Sequence, residues 1–250
     1  MEKRRYYNQN IGPSKQNEQR ALEIALALSA EIENINRITV LIATQHNTDF
    51  LSRIFDEKLV KRMLARPVKV LDNYPPLKIE TIKSIDDYGN HDRILLAYGL
   101  KSDRLLHYDS HHSYRAIIAH QWNAGELNRW AENWGARDMD THQPATPIPF
   151  PPQVVKNALL DLSKSVNKDK IALHHFDEEL CKTYLRILFK DGQPLVADQL
   201  YAFLTRDQNW NSSLAGQIYD WAEKLNLGKR FTGGKISEAR RHLERWKREA

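Results

Sequence analysis

The run Ile38-Thr39-Val40-Leu41-Ile42-Ala43 is short, apolar and rich in β-branched residues, and it stops at once in the polar turn Thr44-Gln45-His46-Asn47. Such a run is too short for a helix and too apolar for a loop, so it reads as a buried strand that ends in a polar loop. Helical periodicity stands on both sides of it. Ala21, Leu22, Ile24, Ala25, Leu28 and Ile32 precede it, within about Gln16–Ile32, and Phe50, Leu51, Ile54, Leu59 and Met63 follow it up to Pro67. A buried strand between two amphipathic helices points to an α/β domain with a mainly parallel sheet and right-handed crossovers.

The same signal recurs. Arg93–Tyr98 and Tyr114–His120 read as further buried strands, with a helix through 112–122 as the rival reading of the second. Arg5-Tyr6-Tyr7 and Val68–Leu71 are shorter candidates. Leu77–Ile82 alternates apolar with polar, as an edge or half-exposed strand does. Ser14 is a natural helix cap, and a helix bearing Leu127, Trp130 and Trp134 opens at Asn123-Ala124-Gly125 and closes at Gly135. The expected architecture is a Rossmann-like α/β domain over residues 1–140.

Between Pro144 and Pro152 stand five prolines, a composition closed to helix and inner strand that marks 141–152 as a linker. Beyond it the strand signals cease. Val154–Val166, Phe176–Phe189, Leu195–Leu204, Ser212–Leu225 and a last segment from about Ile236 all carry helical spacing, so 153–250 reads as a small helical domain.

The run YYNQNIGPSKQNEQRALEIALALSAE, with INRITVLIAT after it, resembles the start of the pyruvate kinase C-terminal α/β domain and its stand-alone relatives. The order of parts is also similar to uncharacterised bacterial proteins that join such a domain to a helical tail through a proline-rich linker. In pyruvate kinases this domain is regulatory and lacks the active site, so the resemblance implies ligand binding or assembly. After the strand, where that family has small residues including glycine, this chain has Gln45-His46-Asn47.

In an open parallel sheet, ligands sit outside the carboxyl ends of the strands. Four segments would meet there, giving Gly12, Ser14, Thr44, His46, Asn47, Gly99, Ser102, His120 and Trp122 as candidate ligand contacts. They supply hydroxyls, amides, imidazoles, an ammonium from Lys101 and a stacking indole, a set suited to a phosphorylated or nucleotide-like small molecule. Ordinary turns and helix caps would use the same residue types. Neither G-x-G-x-x-G nor G-x-x-x-x-G-K-[ST] occurs. The His107, Asp109, His111, His112 cluster lacks a zinc spacing, and His174-His175 reads as helix entry. Asp138 and Asp140 suit turns. No metal and no cofactor is expected.

Basic residues exceed acidic ones, 37 against 32, for a net charge of +5. From Lys224 onward nine Lys or Arg face three Glu, so the excess lies wholly in the tail. Lys229, Arg230, Lys235, Arg240, Arg241 and Arg245 are the candidate nucleic-acid contacts, beside a helix–turn–helix-like pair and the Thr232-Gly233-Gly234 turn. Helix dipoles and local Glu pairs account for the same charges.

One cysteine, Cys181, excludes an intramolecular disulfide and suits a reducing compartment. No apolar run approaches a membrane span, and the basic N-terminus lacks the apolar core of a signal peptide. A cytoplasmic protein without membrane contact, free to oligomerise, is expected. The leading functional expectation is a non-catalytic ligand-binding or regulatory protein whose helical domain contacts protein or nucleic acid. The alternatives are a nucleotide- or phosphoester-processing transferase or hydrolase, and a DNA-binding accessory protein.

Overall fold

The computed structural model describes residues 3–9, 14–45, 48–85, 92–111, 113–168, 172–234 and 239–250. The chain divides into two compact units, residues 1–147 and 148–250, with the break inside the proline-rich stretch.

The first unit is a six-stranded sheet in which every pairing is parallel. Its strands are β1 (Arg4–Tyr7), β2 (Arg37–Ile42), β3 (Leu77–Thr81), β4 (Arg93–Tyr98), β5 (Tyr114–His120) and β6 (Arg137–Asp138). Their spatial order is β3-β2-β4-β5-β1-β6. The helices are α1 (Lys15–Glu31), α2 (Glu57–Ala65), α3 (Ser102–Asp109) and α4 (Asn128–Trp134).

Right-handed crossovers place the helices. From β1 to β2 to β3 the chain moves one way along the sheet, and from β4 to β5 to β6 it moves the other way. Helices α1 and α2 therefore cover one face, and α3 and α4 the other. The side chains agree. Ile38, Val40, Ile42, Ile94, Leu96, Tyr98, Ala116 and Ile118 pack with Ala21, Ile24, Ala25, Leu28 and Met63 in one buried cluster. The odd-numbered Leu41, Leu95, Ala97, Ile117 and Ala119 are equally buried, on the opposite face, as the two-residue period requires. Full burial of each such aliphatic side chain contributes about 1.5–3 kcal/mol relative to exposure, which is why these runs specify the sheet.

Local chemistry sets the ends of α1. The Ser14 hydroxyl accepts from Asn17 N at 3.2 Å, and the helix stops before Asn34, whose φ is +65°.

Several expectations need correction. The single helix expected after Thr48 is two pieces, a 3₁₀ turn Asp49–Arg53 and α2. Asp56 separates them, because its carboxylate accepts from Leu59 N at 2.9 Å and caps a new helix. Val68–Leu71 is no strand. Val68 makes one antiparallel bridge to Leu77, since the intervening Asn-Tyr-Pro-Pro folds the segment straight back. Arg5-Tyr6-Tyr7, expected as a short edge strand, belongs to β1, which lies between β5 and the two-residue β6. The segment from Asn123 to Leu127 is turn, and α4 begins only at Asn128. The tyrosine-led run at 114–120 is strand, not the rival helix.

The second unit is helical: α5 (Gln153–Ser165), α6 (His175–Lys190), α7 (Ala197–Ala202), α8 (Ser212–Asn226) and α9 (Ala239–Arg248). The expected third helix is shorter than Leu195–Leu204 at its start. It continues past Ala202 as a π-helical turn, Phe203–Asp207, where Gln208 N donates to Phe203 O.

Candidate functional site

Because the sheet is all parallel, the exits of β1, β2, β4 and β5 share one edge. The described parts of the four expected loops therefore lie along it; Gly12, His46 and Asn47 fall outside the described residues. Exits of neighbouring strands leave for opposite faces at β2/β4 and again at β5/β1, and such reversals open crevices in doubly wound sheets.

The alternation of β5 continues into its exit loop. Ala116, Ile118, His120 and Trp122 share the α1 face, whereas Gln121 turns to the other. His120 is wholly buried, and neither ring nitrogen has a hydrogen-bond partner among the described residues. Burial pulls its imidazole down to about 4, so the ring is neutral at physiological pH. Its ring stands 5.6 Å from that of Tyr98, and Phe50 lies 5.0 Å from Tyr98 and 5.5 Å from Trp122. Trp122 Nε1 is likewise buried without a partner among the described residues.

Glu18, in the first turn of α1, completes the cluster. It is fully buried, with Oε1 accepting from Arg53 at 3.1 Å and Oε2 without a partner among the described residues. Burial pushes its carboxyl above the usual range, against the pull of Arg53. The Tyr98 hydroxyl donates to the Glu18 carbonyl at 2.8 Å and fixes α1 over the end of β4. Sequence reasoning passed over Glu18, Tyr98 and Phe50. An acid set among the apolar positions of an amphipathic helix was the available signal.

Gly99 explains how Trp122 fits. Its φ is +62°, and a Cβ there would stand 2.5 Å from the Trp122 ring, so only glycine admits the indole. Ser102, by contrast, is spent on structure. Its hydroxyl donates to Glu126 O at 2.7 Å and accepts from Trp130 N at 3.1 Å, tying α3 to α4. Ser14 serves as the α1 cap, and Thr44 is exposed at the exit of β2.

On the opposite face, at the β5/β1 reversal, a crevice of about 430 Å³ is lined by Gln9, Gln121, Gly125, Asn128 and Glu132 among others. Gln121 builds its floor: its backbone N–H donates to Asn8 Oδ1 at 2.7 Å, its side-chain amide donates to Asn8 O at 3.0 Å, and its oxygen accepts from Leu127 N at 3.3 Å.

The histidine cluster resolves differently. Asp109 is buried and accepts from Arg5 and from Trp130 Nε1 at 2.8 Å, so it braces β1 against α3 and α4. Among the described residues no group of three His, Cys, Asp or Glu is placed to hold a metal ion; His112 lies outside them.

In the helical unit much of the tail charge is used internally. Arg245 pairs with Asp161, which also accepts from the Tyr184 hydroxyl at 2.7 Å. Lys247 pairs with Asp191 at 2.8 Å, and Arg240 with Glu244 at 2.7 Å. Arg241 is exposed, as are Lys229 and Arg230 after α8; Lys235 lies outside the described residues. The double glycine is not a phosphate loop. Gly234 N donates to Glu179 Oε2 at 2.8 Å, and a Cβ on Gly234 would stand 2.9 Å from the α6 backbone at Lys182. The exposed positions of α8, the second member of the helix–turn–helix-like pair, are Asp220, Lys224 and Asn226, a face of mixed charge.

The family model described as Domain of unknown function (DUF1889) matches residues 151–247. No curated protein and no solved structure matches the chain. The DUF1889 match coincides with the helical unit, from just before α5 to the last turn of α9. Within it, Trp246 is fully buried, its carbonyl accepts from Asn157 Nδ2 at 2.9 Å, and its ring lies 4.7 Å from Tyr184. No described helix is long and apolar enough to cross a membrane.

Proposed function

We propose that the α/β unit is a non-catalytic binding module for a nucleotide-like small molecule at the carboxyl edge of the sheet. One observation carries this reading: His120, Trp122 and Glu18 each hold a buried polar atom without a partner, and all three belong to the same edge. An unpaired buried donor or acceptor costs about 1–3 kcal/mol, and such orphans cluster where a partner arrives from outside. The cluster offers an indole N–H donor, a neutral imidazole that can donate and accept, and a carboxyl oxygen. Beside Phe50 and Tyr98, these suit the hydrogen-bonding rim of a heteroaromatic ring better than an isolated phosphate, because Arg53 is already paired with Glu18. A phosphorylated tail would extend toward solvent along the loop edge. For the helical unit, contact with protein or nucleic acid through Lys229 and Arg230 remains part of the proposal.

The enzymatic alternative needs a nucleophile beside a base. Ser102 is engaged on both sides, and Ser113 lies at the opposite, amino edge of the sheet, before β5.

A thermal-shift screen with nucleosides, nucleotides and sugar phosphates tests the reading, since a ligand of the native state raises Tm. A base-dependent shift is expected, lost in His120→Leu and reduced in Trp122→Phe. No shift with any of these compounds, or a shift indifferent to both substitutions, overturns it.

A further inference from the structure

A second cleft, of about 510 Å³, lies along the outer side of β1, lined by Lys3–Tyr6, Trp134, Gly135, Arg137 and Pro144. It lies at the start of β1, whereas the nucleotide-like site proposed above belongs to the strand exits. It exists because β6 is too short to cover its neighbour. Only Tyr6 and Tyr7 are paired with β6, so the outer edge of Lys3–Arg5 is left open.

The charges of this cleft do not balance. Among the described residues, four cations line it and no carboxylate does. Asp109, fully buried, serves both Lys3 and Arg5, and Glu31 serves Arg4 at the surface. Arg137 is exposed, and no ion pair among the described residues engages it. Among the described residues two carboxylates thus face four cations. Arg5 is further fixed by stacking its guanidinium 4.2 Å from the centre of the Trp134 ring, and that indole is itself part of the cleft wall. Trp134 Nε1 is buried and has no hydrogen-bond partner among the described residues. An N–H can only donate, and an unmatched positive field can only be answered by negative charge.

We infer that this cleft is a site for a small, multiply charged anion with phosphate- or carboxylate-type oxygens, held by Arg137 and Arg4 and oriented by the Trp134 indole N–H. Arginine forks suit such oxygens because two parallel N–H groups meet two oxygens at once. The volume falls in the range of small-molecule sites, and the open strand edge leaves the cleft reachable from solvent.

Titration of the full chain with pyrophosphate and with citrate, at constant ionic strength and with sodium chloride as the matched control, tests the inference. Binding of one or both is expected, with pyrophosphate alone marking a phosphate site and citrate alone a carboxylate site. Arg137→Gln, a surface change that leaves the core untouched, should weaken binding at least tenfold, and Trp134→Phe by a smaller factor. His120→Leu should leave it unchanged, which separates this site from the one at the strand exits. No binding of either anion, an equal response to sodium chloride, or an affinity unaltered in Arg137→Gln overturns the inference.

Discussion

The Asp161 cluster of the helical unit and the carboxyl edge of the sheet treat buried polarity in opposite ways. In the helical unit a single carboxylate, Asp161, gathers Tyr184, Arg245 and Trp246, and Glu179 stops the N–H of a tight glycine turn. At the carboxyl edge of the α/β unit, His120, Trp122 and Glu18 keep polar atoms unanswered in the core. Satisfied groups hold a fold together and leave little to do for a ligand. Unsatisfied groups weaken the fold where they stand, and natural proteins retain such weakness at sites that act on something else. The contrast supports the proposed ligand binding at the sheet edge, and the Asp161 and Asp191 pairs give α9 a structural duty despite its charge.

The largest effect belongs to the structural side. Trp246→Ala should destabilise the helical unit by about 4 kcal/mol, as truncation of a buried tryptophan does, and release α9 from α5 and α6. Urea unfolding followed by far-ultraviolet circular dichroism measures it. A loss below about 1 kcal/mol would show that α9 is not anchored through this ring.

Next comes Gly99→Ala, which sets a methyl group against Trp122 and forces a side chain into positive φ. A cost of about 2 kcal/mol is expected, from strain of this kind and displacement of the indole. Tryptophan emission should shift to the red as Trp122 moves. An unchanged spectrum together with unchanged stability would detach Gly99 from the site.

The third prediction has the opposite sign. His120→Leu removes an orphaned imidazole and keeps its volume, so stability at neutral pH should rise by about 1 kcal/mol. Between the ordinary value of 6.5 and about 4, the unfolded chain binds a proton that the folded imidazole refuses. The His120 contribution is therefore fully present above pH 6.5 and is lost as pH falls through that window. Glu18, whose carboxyl is pushed upward by burial, acts in the contrary sense and is present in both proteins, so the difference between them isolates His120. Equal acid sensitivity in His120→Leu and the parent would place a hidden partner on the ring.

Much of the sheet was legible because its signal is apolar burial, which follows directly from composition at a two-residue period. Arg93–Tyr98 and Tyr114–His120 emerged with the limits the structure gives them. What escaped was decided by single polar contacts. Asp56 splits a helix whose hydrophobic spacing is continuous, and no periodicity reports a cap that competes with the next turn. The edge on which the candidate residues were expected was legible by topology alone: a parallel sheet brings the exits of β1, β2, β4 and β5 together whatever their residues. Sequence could not separate Ser102, which is consumed in joining two helices, from His120, which is left unpaired. That difference depends on which face of the chain meets α1, and hence on register across three strands.

The smallest expected effect tests the other half of the comparison. Arg240 is almost fully exposed, and its bond to Glu244 spans one helical turn. Exposed pairs of this kind contribute about 0.3–0.5 kcal/mol, so Arg240→Ala should leave the unfolding midpoint within a degree or so of the parent. If the tail contacts phosphates instead, Arg240→Ala together with Lys229→Ala and Arg230→Ala should lower affinity for duplex DNA and flatten its dependence on salt. Binding that is absent, or indifferent to salt, would leave α9 as what its ion pairs already make it, a helix whose cations serve its own unit.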